Sequence, residues 1–193
     1  MRRILSLMSA LVMTTAGYAA AAAETTYTVD TVHTIPMFEI GHLGLSKYVG
    51  RFDKVSGTVT LDPEKKAGSV ELAIDAASIS TDLAKLNEHL MSKDYLDVAQ
   101  FPTITFKSSN VKFKGGKVVA ITGDLTLHGM TKAVTFRVAA FNCTTHYFRK
   151  VPACGADASA TIKRTDFGIV GPYAPPIVSD EVTLRIQIEG YKS

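Results

Sequence analysis

Between Val111 and Ala140 the chain reads VKFKGGKVVAITGDLTLHGMTKAVTFRVAA, with apolar residues on every second position. Val119, Ile121, Leu125 and Leu127 form one row, and Val134, Phe136 and Val138 the next. The residues between them are mostly polar or small, which is the period of a strand with one buried face. Gly115-Gly116 and His128-Gly129 stand where tight hairpins need residues that tolerate positive φ. The segment therefore predicts three consecutive antiparallel strands. It also predicts a sheet whose apolar face must be covered by the rest of the chain.

The alternation continues on both sides. Tyr27 and Val29 mark one strand, Phe38, Ile40 and His42 a second, and Tyr48, Gly50 and Phe52 a third. Further rows fall at Val70, Leu72 and Ile74, at Ile104 and Phe106, at Ala158, Ala160 and Ile162, and from Val182 to Ile188. Short strands punctuated by Gly, Pro and Asn predict a sandwich or a barrel. One segment departs from this period: Ile79, Leu83, Leu86 and Leu90 recur at helical spacing. It predicts an amphipathic helix of two to three turns, capped by Ser80 or Thr81 with Asp82 in the first turn, that covers an open end or seam. The inward positions are rich in Val, Ala, Gly and Leu. Such residues fit an elongated hollow and fit closely packed sheets equally well.

The first 23 residues carry a different signal. Met1-Arg2-Arg3, an uncharged apolar run from Ile4 to Ala16 and small residues from Ala19 to Ala23 predict a secretory signal peptide. The apolar run is short for a membrane span, so residues 24–193 are read as one exported domain. Loss of Arg2 and Arg3 leaves 19 basic against 18 acidic residues, and lowers the net charge from +3 to +1. That balance gives no support to a nucleic-acid partner or to a polybasic lipid-binding patch. In an exported chain Cys143 and Cys154 are expected to pair, stabilising the fold by roughly 2–3 kcal/mol. Their spacing matches neither C-x-x-C nor a zinc pattern.

Enzyme motifs are largely missing: the chain has no G-x-S-x-G, no H-E-x-x-H, no P-loop and no Rossmann glycines. Glu88-His89 reads as helix surface. His33 follows Asp30, and His42 shares inward parity with Phe38 and Ile40, so two imidazoles and an acid could hold a metal or exchange protons. A hydrogen-bonded rim residue is the alternative for His42. Arg164 continues the parity of Ala158, Ala160 and Ile162, which predicts a buried guanidinium in need of an anion. Asp166 and Asp180 are candidate partners, and a ligand phosphate or other polar head group is the functional alternative.

Taken together, these motifs resemble the YceI-like proteins, exported lipocalin-like barrels described as polyisoprenoid-binding. The resemblance rests on Asp30-x-x-His33, on His42-Leu43-Gly44 with Gly50-Arg51-Phe52, and on Asn87-x-His89-Leu90 with Tyr95-Leu96-Asp97. It continues in Phe101-Pro102-x-Ile104-Thr105-Phe106, in Gly123 to Lys132, and in Arg164-x-Asp166-Phe167-Gly168. Thr34, where the family usually has Ser, Tyr95-Leu96 in place of the more usual pair of aromatics, and the loop between the cysteines are departures. The resemblance implies an all-β fold with one or two short helices, an antiparallel up-and-down barrel of about eight strands, in the periplasm. It implies a tunnel for a long isoprenoid lipid such as a polyprenyl phosphate or a quinone, with no obligatory cofactor, no metal and no enzymatic activity. In that fold, parity places Phe38, Ile40, Phe52, Phe106, Leu125, Leu127, Phe136 and Ile162 on the tunnel wall. His42 and Arg164 then lie toward an opening, as head-group candidates. Transient membrane contact and a homodimer are compatible with this picture. Three other readings stay open: a quinone-holding electron-transfer accessory, a lipid-modifying enzyme using His33, His42 and Arg164, and a ligand-free stress-response protein filled by its own side chains.

Overall fold

The computed structural model describes residues 24–193, so the signal-peptide reading of residues 1–23 lies outside the described residues. The strands are β1 (Thr25–Val29), β2 (Ile35–His42), β3 (Ser46–Phe52), β4 (Val55–Asp62), β5 (Ala67–Asp75) and β6 (Ile79–Ser80). Helix α1 (Ala84–Met91) follows, then β7 (Thr103–Lys114), β8 (Lys117–Leu127), β9 (Met130–Thr145), β10 (Pro152–Lys163) and β11 (Val178–Lys192). All pairings are antiparallel, and β11 pairs back onto both β1 and β2, which closes the sheet. Since β1 and β2 lie end to end along β11, they form one bent stave. β3 and β4 form another against them. The eleven segments thus make a closed barrel of eight staves with one helix, and the choice between barrel and sandwich falls to the barrel.

The central meander folds as its alternation predicts, as β7, β8 and β9 joined through Gly115-Gly116 and His128-Gly129. His128 itself takes a φ of 51°. One row is corrected: a register shift pairs Phe113 with Val118, so Val118 is buried inward where Val119 was expected. Glycine makes the interior wide enough for aromatic rings. A Cβ on Gly123 would lie 2.4 Å from the Lys107 carbonyl and 2.9 Å from the Phe106 ring, and one on Gly50 would lie 2.3 Å from Phe38. Those rings therefore pack directly against bare backbone.

The bend between β1 and β2 is pinned from the far end of the chain. The buried Asp30 carboxylate accepts from Val32 N at 2.9 Å, from His33 Nδ1 at 2.5 Å and from the Tyr191 hydroxyl. Thr34 is buried beside it, donating to Glu189 O (3.2 Å) and accepting from Glu189 N (3.1 Å). Burial alone would raise the Asp30 pKa. The bonds from Tyr191, His33 and Val32 outweigh it and hold the carboxyl at about 2. The same contact raises the pKa of His33.

The helix is shorter than its sequence pattern. Asp82 takes a φ of 59°, so α1 starts at Ala84 with Leu83 at its N-cap and no capping side chain. Thr81, the expected cap, instead directs its hydroxyl to Asn87 Oδ1 at 2.6 Å, and Ile79 belongs to β6. Cys143 and Cys154 face each other across β9 and β10 and form the expected disulfide.

Candidate functional site: an apolar tunnel with a polar mouth

The barrel encloses a cavity of about 450 Å³, within the usual range for a small-ligand site. Its wall runs from Cys154 on β10 to Arg164 just beyond that strand. Ten residues at about 3.3 Å each span about 33 Å along the stave. With the usual strand tilt this is about 25 Å along the barrel axis. The cavity is therefore long and narrow.

All eight residues assigned inward by parity lie on this wall. Phe38, Ile40 and Phe52 come from the first two staves, Phe106, Leu125 and Leu127 from the meander, and Phe136 and Ile162 from β9 and β10. Two edge-on or tilted ring pairs stiffen it, Phe106–Phe136 at 5.1 Å and Phe38–Phe52 at 6.2 Å.

Polarity along the wall is segregated. Arg185 belongs to the outward row of β11, where it pairs with Glu39 at 2.8 Å. Of the other lining residues with polar side-chain groups, Tyr27 lies at the end that carries the β9–β10 hairpin. The remaining six, His42, Tyr48, His89, Tyr95, Arg164 and Tyr173, cluster at the end that carries α1. His42 and Tyr173 are exposed, so the cavity meets solvent at this helix end.

Parity put Tyr48 in the row of Phe52 without marking it as a site residue, and it did not single out His89, Tyr95 or Tyr173. His89 is not a helix-surface residue as its sequence context predicts: it faces the cavity with Leu86 and Leu90 and meets the Tyr95 ring edge-on at 4.9 Å. The signal was available, because positions 86, 89 and 90 share one helical face. Tyr95 is buried, and its desolvation raises the hydroxyl pKa. Tyr48 donates to the Thr81 carbonyl at 3.2 Å, tying β3 to the segment that precedes the helix.

Arg164 is buried as predicted, but its partners are not carboxylates. Nε donates to Ser179 O (3.0 Å), Nη1 to Ile169 O (2.9 Å) and Val170 O, and Nη2 to Tyr173 O (2.7 Å). Asp180 is occupied elsewhere, accepting from the Thr165 hydroxyl at 2.8 Å and from Thr165 N at 3.1 Å, and the hydroxyl bond leads in lowering its pKa. The fork organises the loop from 168 to 177 by holding its carbonyls. Four of its five N–H groups are committed, so it is not an open clamp.

The trio suggested for catalysis is not assembled. His33 sits at the bend before β2, and His42 ends that strand, which puts them more than about 20 Å apart at 3.3 Å per residue. His33, Asp30 and Glu189 do approach one another, but the Asp30 oxygens are already engaged by Tyr191 and Val32.

Comparison with known proteins places this geometry. A UPF0312 protein of Pseudomonas putida strain W619 is 38% identical over 174 residues, covering 90% of this chain and 88% of its own. A UPF0312 protein of Pseudomonas aeruginosa strain LESB58 is 39% identical over 181 residues, covering 92% and 91%. Among solved structures, Burkholderia cenocepacia BcnA superposes with a TM-score of 0.69 at 29% identity, over 83% of this chain and 98% of that one. A polyisoprenoid binding domain from Saccharophagus degradans has a TM-score of 0.58 over 88% and 99%. At 16% identity it shares the fold alone. The model of the YceI-like domain matches residues 27–190, and the chain belongs to that family.

Proposed function

We propose that the chain is a periplasmic carrier for a long isoprenoid lipid, a polyprenyl phosphate or a quinone. Its tail would lie along the barrel axis and its head group at the helix end. The observation that carries this reading is the segregated wall, apolar for most of its length and polar where the cavity opens. A ligand matched to it is a long hydrocarbon with one polar terminus. The S. degradans neighbour is named a polyisoprenoid binding domain, which agrees in ligand class.

Energetics narrow the role to exchange rather than capture. Each buried methylene is worth about 0.8 kcal/mol against water, so a forty-carbon chain would nominally exceed the ceiling of about 18–21 kcal/mol for any complex. Such a lipid is never free in water, however. Its competing state is the bilayer, which is equally apolar, and transfer from bilayer to barrel is close to neutral. Selectivity then rests with the mouth, where His42, Tyr173 and the Arg164 charge lie within reach of a head group.

The direct test is to incubate delipidated protein with vesicles containing a polyprenyl phosphate or a quinone, re-isolate it, and identify bound lipid by native mass spectrometry. Stoichiometric lipid is the expected result. Protein that emerges empty from both kinds of vesicle refutes the carrier reading.

A further inference from the structure

Seven of the eleven large apolar side chains exposed among the described residues lie at the helix end: Leu43, Leu45, Leu83, Met130, Val170, Tyr173 and Ile177. Leu45 is 84% exposed and Val170 64%. Scattered exposed leucines need no explanation, but apolar residues gathered round one opening do. Here they come from four separate pieces of chain: the β2–β3 turn, the approach to α1, the β8–β9 turn, where His128 Nδ1 meets Phe167 O at 3.1 Å, and the loop from 168 to 177.

Those pieces are held together as a rim. Leu43 N donates to Ile177 O at 2.8 Å, joining the turn to the loop. Tyr48 joins β3 to Thr81, two residues before Leu83. Arg164 fixes the carbonyls of Val170 and Tyr173 from beneath. The apolar side chains therefore stand on anchored backbone around the mouth.

We infer that this rim is a bilayer-docking face, inserted shallowly into a lipid surface so that the tunnel opens directly into the acyl region. The inference rests on the carrier reading, because the occupant is fixed by continuity with the cavity. A ligand that resides in bilayers can enter without crossing water only if the mouth itself meets the membrane. The charges around the rim have both signs: Lys85 and Lys93 against Asp82, Glu88 and Asp94 beside the helix, and Lys163 against Asp166 and Asp180 below the loop. Attraction to anionic lipid is thus not the driving force, and contact with plain phosphatidylcholine should survive high salt.

The test pairs vesicle flotation with micellar delivery of lipid. Wild-type protein should float with phosphatidylcholine vesicles at low and high salt alike. The double variant Leu45→Glu/Val170→Glu, whose sites lie off the cavity wall, should lose at least tenfold in flotation and in the rate of lipid uptake from vesicles. Its uptake of a polyprenyl phosphate or quinone from detergent micelles should equal wild type. Phe148→Glu, at the opposite end, should behave as wild type. Wild-type protein that loads from micelles but does not float overturns the docking face and leaves the carrier reading standing. Protein that takes up nothing from micelles overturns the carrier reading, and flotation alone then judges the face. Flotation lost in Phe148→Glu but kept in the double variant places contact at the other end and overturns the inference. So does a wild-type dimer, seen by sedimentation, that the double variant dissociates.

Discussion

Asp30 illustrates how one residue can govern a bend in the barrel. Its carboxylate gathers a backbone N–H, an imidazole and a phenol, and these keep it ionised down to about pH 2. A carboxyl whose folded pKa is depressed adds stability that is fully present above its ordinary value of 3.8 and is lost as pH falls toward 2. His33 has the opposite sign: its pKa is raised, so its share is complete below its ordinary 6.5 and fades as pH rises through the folded value. Asp30→Asn should therefore cost on the order of 1–2 kcal/mol at pH 5–7 in a denaturant titration. The cost should shrink toward pH 2. A constant difference across that range would show that shape, not charge, is what Asp30 provides. The sequence displayed Asp30 and His33 as neighbours, but Tyr191 and Glu189 lie over 150 residues away. No local pattern could announce that they meet.

At the scale of elements, β-strand parity carried far and helix signals less so. The rows of β8, β9 and β10 put Leu125, Phe136 and Ile162 on the wall because alternation survives wherever a ladder is regular. It failed at Val119, where an irregular pairing moves Val118 inward. It also failed to give α1 its start, since the positive φ of Asp82 and the bond from Thr81 to Asn87 are tertiary choices. The segment from 168 to 177 has no regular structure and is organised by Arg164. Arg164→Met should release four carbonyls, cost about 2–4 kcal/mol, and speed amide exchange in residues 169–179 more than in the central meander. Uniformly faster exchange along the chain would mean that the guanidinium supports the whole barrel instead.

For the molecule as a whole, the defining property is a closed wall around unfilled length. Ala158 is buried on that wall midway along β10. Ala158→Phe should put a ring into the tunnel at about 1–3 kcal/mol of strain while leaving far-UV circular dichroism intact. Added isoprenoid lipid should raise the melting temperature of wild type but not of this variant. An equal rise in both would mean that lipid sits somewhere other than the tunnel. Closure itself was implied by resemblance rather than by periodicity, because an alternating strand reads the same in an open sandwich and in a barrel.

That closure has a consequence in time. The seam joins the first and last strands, with Tyr27 opposite Lys192 and Thr28 bonded to Ser193 across 165 positions of sequence. The meander can assemble from near neighbours, whereas the seam must await the final residues and bear the entropy of so long a loop. Until then there is a curled sheet but no enclosed interior. No ligand can be enclosed before β1 and β11 have paired, so a tunnel of this kind is finished first and filled afterwards.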